Sequence, residues 1–167
     1  MKEKSSIIIV ILFLFVYSSC NKHEDVKIDT LNQQDANKTK FTKMGEVYFQ
    51  DSLKNLKSKI DAEIAETDES RHIGLMFREG MKEDQGMLFI FPSEELQGFY
   101  MRNTLMPLDI IFINSKKQIV KIHKNTTPLS EKSLPSLKPS IYVVEVIAGY
   151  TDKFGIKEGY FIDWRRN

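Results

Sequence analysis

Between Gly45 and Trp164 the chain is divided into short apolar or alternating runs, and this punctuation restricts it to a fold of many short strands. In Lys59 to Ala65, Ile60, Ala62 and Ile64 alternate with Asp61 and Glu63, the period of two that marks a half-buried strand. Met87 to Phe91 reads as a short buried strand before Pro92, and Gly45 to Gln50 as an edge strand. Phe99 to Asn103, Leu108 to Ile113, Gln118 to His123, Ile141 to Ile147 and Phe161 to Trp164 continue the series. Asn114 to Lys117 forms a turn, and Pro128, Pro135 and Pro139 mark a long loop. A single helix interrupts the strands. Thr67 and Asp68 offer N-cap oxygens, Ile73, Met76 and Phe77 recur at helical spacing, and Gly80 can end it. The expected fold is mainly β with one helix, a compact β-sandwich or barrel with the helix packed across one opening. Met87, Phe89, Ile110, Phe112 and Val144 are its expected core.

The N-terminal segment carries an address. Lys2 and Lys4 precede an apolar run from Ile7 to Tyr17, too short to span a bilayer, and Ser18-Ser19-Cys20 closes it. Cys20 is the one cysteine in the chain, and its place resembles a lipobox, where the cysteine is lipidated and becomes the first mature residue. Tyr17 stands where a lipobox usually has Leu. The expected layout is a lipoprotein signal peptide over 1–19, a flexible polar tether over 20–43 and a single domain over 44–167. With Cys20 lipidated, disulfides and thiol catalysis are both excluded within the mature chain. The expected location is the bacterial cell envelope, lipid-anchored, facing the periplasm or the cell surface. Lys22 followed by Glu24 and Asp25 suits a solvated linker and also resembles a surface-export signal of lipoproteins.

Lys and Arg total 24 against 23 Asp and Glu, a net charge of +1. That balance argues against nucleic acid as a partner, which calls for a basic stripe. A monomer is expected.

An ordered set of motifs runs through the domain. It comprises Glu63-Ile64-Ala65, Arg71, Gly74-Leu75-Met76 with Arg78, Gly86-Met87-Leu88-Phe89, Phe99-Tyr100-Met101-Arg102-Asn103-Thr104 and Pro107 to Phe112. Tyr142-Val143-Val144-Glu145 and Ala148-Gly149 complete it. The series resembles the domain-of-unknown-function 192 family over about Ile60 to Asp163. The resemblance implies a compact, mainly β domain, common in secreted proteins and lipoproteins, with no established activity. Tyr100 stands where the family commonly has Trp, and Tyr160 where many members have Asp.

Arg71 and Arg78 lie seven apart with Leu75 between them, and on a helix they share one face. Two guanidiniums so placed clamp an anion or make structural ion pairs. Asp109 is in phase with Ile111 and Ile113, and Glu145 with Val143 and Ile147. A carboxylate on an apolar strand face is either paired or functional, because burying it alone costs several kcal/mol. Arg102, Asn103 and Thr104 add a cation, an amide and a hydroxyl at a strand end, and Phe99, Tyr100 and Met101 suit the wall of a groove. The candidate ligand site is therefore Arg71, Arg78, Arg102, Asn103, Asp109 and Glu145, with Cys20 for lipidation. No catalytic set, metal site or cofactor is expected. No nucleophile elbow or metal-spaced histidine pair occurs, and the cluster from Met76 to Met106 reads as core filler rather than a copper site.

Three functions fit these residues. The first is a membrane-tethered binding or accessory module for a small polar or anionic ligand. The second is a hydrolase using Asp109 and Glu145 as an acid–base pair. The third is a structural envelope or assembly component that binds another protein through a sheet edge.

Overall fold

A computed structural model of the chain describes residues 40–167. The expected signal peptide, Cys20 and the tether through residue 39 lie outside the described residues. Thr42 and Lys43, assigned to the tether by composition, are bound to the sheet. The Thr42 N–H donates to Glu63 at 2.6 Å, and the Lys43 ammonium meets Glu46 at 2.9 Å and Asp61 at 2.8 Å.

Nine strands and two short helices are described. In chain order they are β1 (Gly45–Gln50), β2 (Leu56–Ala65), α1 (Asp68–Ile73), β3 (Gln85–Glu95), β4 (Gly98–Phe99) and β5 (Leu108–Ile113). These are followed by β6 (Ile119–His123), β7 (Leu134–Pro135), β8 (Ser140–Ile147), α2 (Tyr150–Lys153) and β9 (Phe161–Arg166). Seven strands form one mixed sheet in the order β6-β5-β8-β3-β2-β1-β9, while β4 and β7 make a separate two-stranded ribbon. Only the β2–β3 pair is parallel, and α1 lies in the connection between those two strands.

The chain is mainly β, and its sheet curls without closing. The two ends of the sheet touch at a single bridge, Gln118 to Phe161. The Ile119 N–H donates to Tyr160 O at 2.8 Å, and the Gly159 N–H to Ile119 O at 2.8 Å. Strand β1, expected at an edge, lies inside the sheet between β2 and β9. Its alternation of Val47 and Phe49 with Glu46 and Tyr48 separates an apolar face from a polar one, a pattern an interior strand shows as readily as an edge strand. The edge position belongs to β9.

The sheet carries an apolar cluster on each face. Val47, Phe49, Ile60, Leu88, Ile111, Val144 and Val146 form the inner cluster, together with Tyr150 from α2. Met87, Phe89, Leu108, Ile110, Phe112 and Val143 form the outer one. Four of the five expected core residues share the outer face. Val144 does not, because it pairs with Leu88 and Ile111 and projects with them to the inner side. The residue in phase with Phe112 is its neighbour Val143.

The outer cluster depends on Phe112, which is fully buried and meets Phe99 edge-on at 5.5 Å and His123 at 5.8 Å. Replacing Phe112 by Ala should cost about 3–5 kcal/mol in a denaturant titration, the usual range for a fully buried phenylalanine. A loss under about 1 kcal/mol would mean that the outer face is not a packed core.

Helix α1 is half the expected length. Thr67 caps it in a reciprocal pair with Ser70, with Asp68 and Glu69 at its positive end. It stops at Gly74 rather than Gly80. Gly74 sits at φ +48° and ψ −128°, far outside helical space, and a Cβ there would lie 3.1 Å from the Phe89 ring. The chain then drops toward the sheet and buries Leu75. Gly74→Ala should therefore destabilise the fold by about 1–3 kcal/mol, read as a lowered midpoint of unfolding. An unchanged midpoint would show that the turn is not held by this residue.

Candidate functional site

Cross-strand register on the outer face places Glu63, Met87, Glu145, Ile110 and His123 side by side across β2, β3, β8, β5 and β6. Two carboxylates thus enter an otherwise apolar face. Their fates differ. Glu63 is buried and fully engaged, pairing with the Arg78 guanidinium and accepting the Thr42 N–H. Glu145 is 5% exposed, and no described residue donates a hydrogen bond to its carboxyl or forms a salt bridge with it. Burial pushes its pKa up from the ordinary 4.5 to about 8, and the attraction of Arg78 offsets this only in part. Burial therefore favours the protonated form of Glu145.

Glu145 lies in the lining of a cleft of about 280 Å³. Phe89, Phe91, Phe99 and Tyr100 supply aromatic walls, Thr104 a hydroxyl, and the end of α1 one rim. The walls are built by packing. Phe99 meets Phe89 edge-on at 5.2 Å and Phe91 at 6.2 Å, so the β4–β7 ribbon is anchored over β3 by rings. Arg71 closes the rim. It donates to the carbonyls of Glu66 and Ile90, pairs with Asp68, and stands over the Phe91 ring at 5.4 Å. A partly aromatic cleft with a few polar groups in its lining is the usual form of a small-ligand site.

The six candidate residues separate into different roles. Arg71 and Glu145 both line the cleft. Arg78 does not share a helix face with Arg71, because α1 ends at Ile73 and Arg78 follows the turn that Gly74 starts. Its guanidinium instead neutralises Glu63 beneath the outer face, leaving its Nε without a partner. Arg102 is exposed and rests over the Tyr100 ring at 5.1 Å. Asn103 occupies a left-handed turn at φ +59°, a conformation asparagine tolerates well, and its carbonyl accepts the Phe77 N–H at 2.8 Å. The expected strand over Phe99 to Asn103 is thereby cut to Gly98–Phe99, and the alternation of faces assumed for residues 100–104 does not apply.

Asp109 and Glu145 are on opposite faces of the sheet. Asp109 pairs across strands with Val146, whereas Glu145 pairs with Ile110, so adjacent register positions send them to opposite sides. Asp109 is fully buried on the inner side and accepts four hydrogen bonds. These come from the N–H groups of Asn125 (2.9 Å), Gly149 (3.3 Å) and Thr151 (2.9 Å) and from the Thr151 hydroxyl (2.7 Å). It is a structural acceptor that ties the loop after β6 and the start of α2 to β5. An acid–base pair of Asp109 with Glu145 is excluded by this geometry.

Sequence reasoning missed Glu63, and also Phe91 and Gln97, which both line the cleft. Glu63 carried a signal, since it sits on the β2 face opposite Ile60, Ala62 and Ile64, but the chain that covers that face could not be foreseen. Met87, Met101 and Met106 are buried in the outer core. No group of three or more His, Cys, Asp or Glu placed to hold a metal ion occurs among the described residues. Among these residues, too, no helix is long and apolar enough to cross a membrane.

Comparison with known proteins places the chain. The family model DUF192, described as uncharacterized ACR, matches residues 51–164. The chain is similar to a crystal structure from Sinorhizobium meliloti 1021 named as a candidate transcription regulator. Identity is 32%, the TM-score is 0.70, and the match covers 75% of this chain and 97% of the other. It is also similar to a protein of unknown function from Novosphingobium aromaticivorans DSM 12444. Here identity is 31%, the TM-score is 0.66, and coverage is 71% of this chain and 84% of the other. No curated protein shows a significant match.

Proposed function

The chain belongs to the DUF192 family, and from that premise we propose that its domain is a small-ligand-binding module held at the bacterial cell envelope by lipid on Cys20. The observation that carries this reading is the Glu145 carboxyl, which lines an aromatic-walled cleft with no hydrogen-bond or ion-pair partner among the described residues. A carboxyl that is only 5% exposed and has no such partner is poorly solvated. A fold that keeps one at a cleft, while Glu63, Asp109 and Arg71 are all bonded, reserves it for something that enters from outside.

The alternatives lack such support. The hydrolase reading needs two cooperating carboxylates, and Asp109 is saturated on the far side of the sheet. Docking through a free sheet edge is disfavoured because the end strands β6 and β9 are bridged at Gln118 and Phe161. The description of the Sinorhizobium relative as a regulator does not extend to this chain, whose near-neutral charge suits no nucleic-acid partner.

Chemical-shift mapping of the full chain against a library of small fragments tests the module. Binders should shift the backbone amides of Phe89, Phe99, Tyr100, Thr104 and Glu145 together. Binders that cluster elsewhere, or an absence of binders, would contradict the reading. The address has its own test. Cys20→Ala should leave the chain uncut or release it from the membrane, since anchoring by acyl chains contributes about 0.8 kcal/mol per buried methylene. A variant that stays membrane-bound at mature size would show that lipid on Cys20 is not the anchor.

A further inference from the structure

We infer that the group of the ligand that meets Glu145 is a cation, an ammonium or alkylated ammonium on a small apolar body, and that its uptake displaces a proton from that carboxyl. The inference rests on the cleft being a ligand site and goes on to name the chemistry it selects.

Charge accounting around Glu145 leads there. The charged and titratable groups packed toward it come from four segments. Asp68, Arg71 and His72 belong to α1, Arg78 to the turn that follows, Glu63 to β2 and Tyr100 to the segment after β4. Met87 and Ile110, its neighbours on β3 and β5, carry no charge. Both fixed cations are already spent. Arg78 is paired with Glu63, and Arg71 with Asp68 and two backbone carbonyls. Among the described residues lining this cleft, an anionic ligand would find no lysine or arginine free of a partner, and it would face the Glu145 carboxyl. This reverses the expectation of an anionic ligand drawn from Arg71 and Arg78.

A cation finds what it needs. The ionised Glu145 would be the one uncompensated charge among these groups, and the surrounding walls are aromatic. Rings attract cations through their quadrupoles, and Phe91 already holds the Arg71 guanidinium at 5.4 Å. A carboxylate beside aromatic faces is the general recipe for ammonium recognition. The cleft volume of about 280 Å³ limits the ligand to a small one. Entry of an ammonium replaces the acid proton as the partner of the Glu145 oxygens. One proton leaves to solvent for each protonated Glu145 that binds, and charge is conserved.

Four probes of similar shape test this on the full chain by calorimetry: 2-phenylethylammonium, its trimethylated quaternary form, 2-phenylethanol and phenylacetate. The two cations should bind and the alcohol and the acid should not. The quaternary probe cannot itself titrate. Its affinity should rise about fifty-fold between about pH 6 and about pH 8, as the fraction of ionised Glu145 grows. Repeating the titration in buffers of different ionisation enthalpy should show proton release on the acid side of this range. Glu145→Gln should abolish binding of both cations while its circular dichroism matches the parent. Binding of the alcohol or the acid in preference to the cations would overturn the cation assignment and leave the cleft a ligand site. Cation binding with no pH dependence, or undiminished in Glu145→Gln, would overturn the role of the carboxyl. If no probe binds at millimolar concentration, the inference fails together with the ligand-site reading.

Discussion

Asp109→Ala should unfold or nearly unfold the domain. Four donors converge on that carboxylate, and three of them belong to the Gly149–Thr151 segment, where Thr151 is itself fully buried. Removing the acceptor strands these donors at about 1 kcal/mol or more each, so the loss should reach roughly 4 kcal/mol. Domains of this size have only about 5–15 kcal/mol in total. The damage would spread along a definite route. Freed from Asp109, the start of α2 would no longer hold Tyr150 in the inner core, where it packs on Phe49 at 5.7 Å and Phe154 at 4.6 Å. Asp109→Asn keeps one acceptor oxygen and should lose less. Urea titration of the two variants measures this directly. An Asp109→Ala domain within about 1 kcal/mol of the parent would mean that the hydrogen-bond set is not what holds the loop.

Glu145→Gln should have the opposite effect above neutral pH, where it should stabilise the free protein. The folded-state pKa of Glu145 is raised, to about 8 from 4.5. Between those values the folded state holds a proton that the unfolded state has released, so stability is fully present below about pH 4.5 and declines as pH rises toward 8. The slope is at most about 1.4 kcal/mol per pH unit. Above pH 8 both states are ionised and the slope vanishes. Glutamine mimics the protonated acid and has no slope, so at about pH 9 the variant should be the more stable by about 3–5 kcal/mol.

The carboxylates whose pKa values are lowered act in a different window. Glu46 accepts from Tyr48, Lys43, Lys59 and Arg165, Glu66 pairs with Arg166, and Asp163 pairs with Lys117. The stability they contribute is present above their unfolded values and lost on acidification, so they leave the range from pH 4.5 to 8 clear. Equal pH profiles for parent and variant in that range would refute the assignment.

How far the sequence reveals this molecule depends on which interactions are local. Strands β2, β5 and β8 are plain in the alternation or apolar continuity of their residues, because a strand's buried face is written at every second position. The start of α1 is plain for the same reason, since Thr67 and Ser70 are a local cap. Its end is not. Gly74 ends the helix by turning to φ +48°, ψ −128°, and Phe89, on a strand beyond it in the chain, crowds any Cβ on that turn to 3.1 Å. The position of β1 depends on β9, more than a hundred residues away, and nothing in Gly45 to Gln50 records that partner.

The candidate site was legible in its residue types and illegible in its grouping. Asp109 and Glu145 both stand on strand faces that are otherwise mostly apolar, which their phase with neighbouring residues also indicates. Which face each one takes follows from the antiparallel register of β5 and β8, and a step of one position reverses the answer. The same dependence on register moved Val144 to the inner core. The pairing of Arg78 with Glu63 also needed tertiary structure, because only the turn after Gly74 brings the guanidinium back over β2.

The central claim is that Glu145 stands in the cleft as an acid with no partner among the described residues. Carbon-13 labelling of the glutamate side chains, followed by NMR titration of the Glu145 carboxyl, measures this in the free full-length chain. The account predicts a midpoint near 8. A midpoint near the ordinary 4.5 would contradict it, since the carboxyl would then be hydrated or paired and the cleft would hold no acid in reserve.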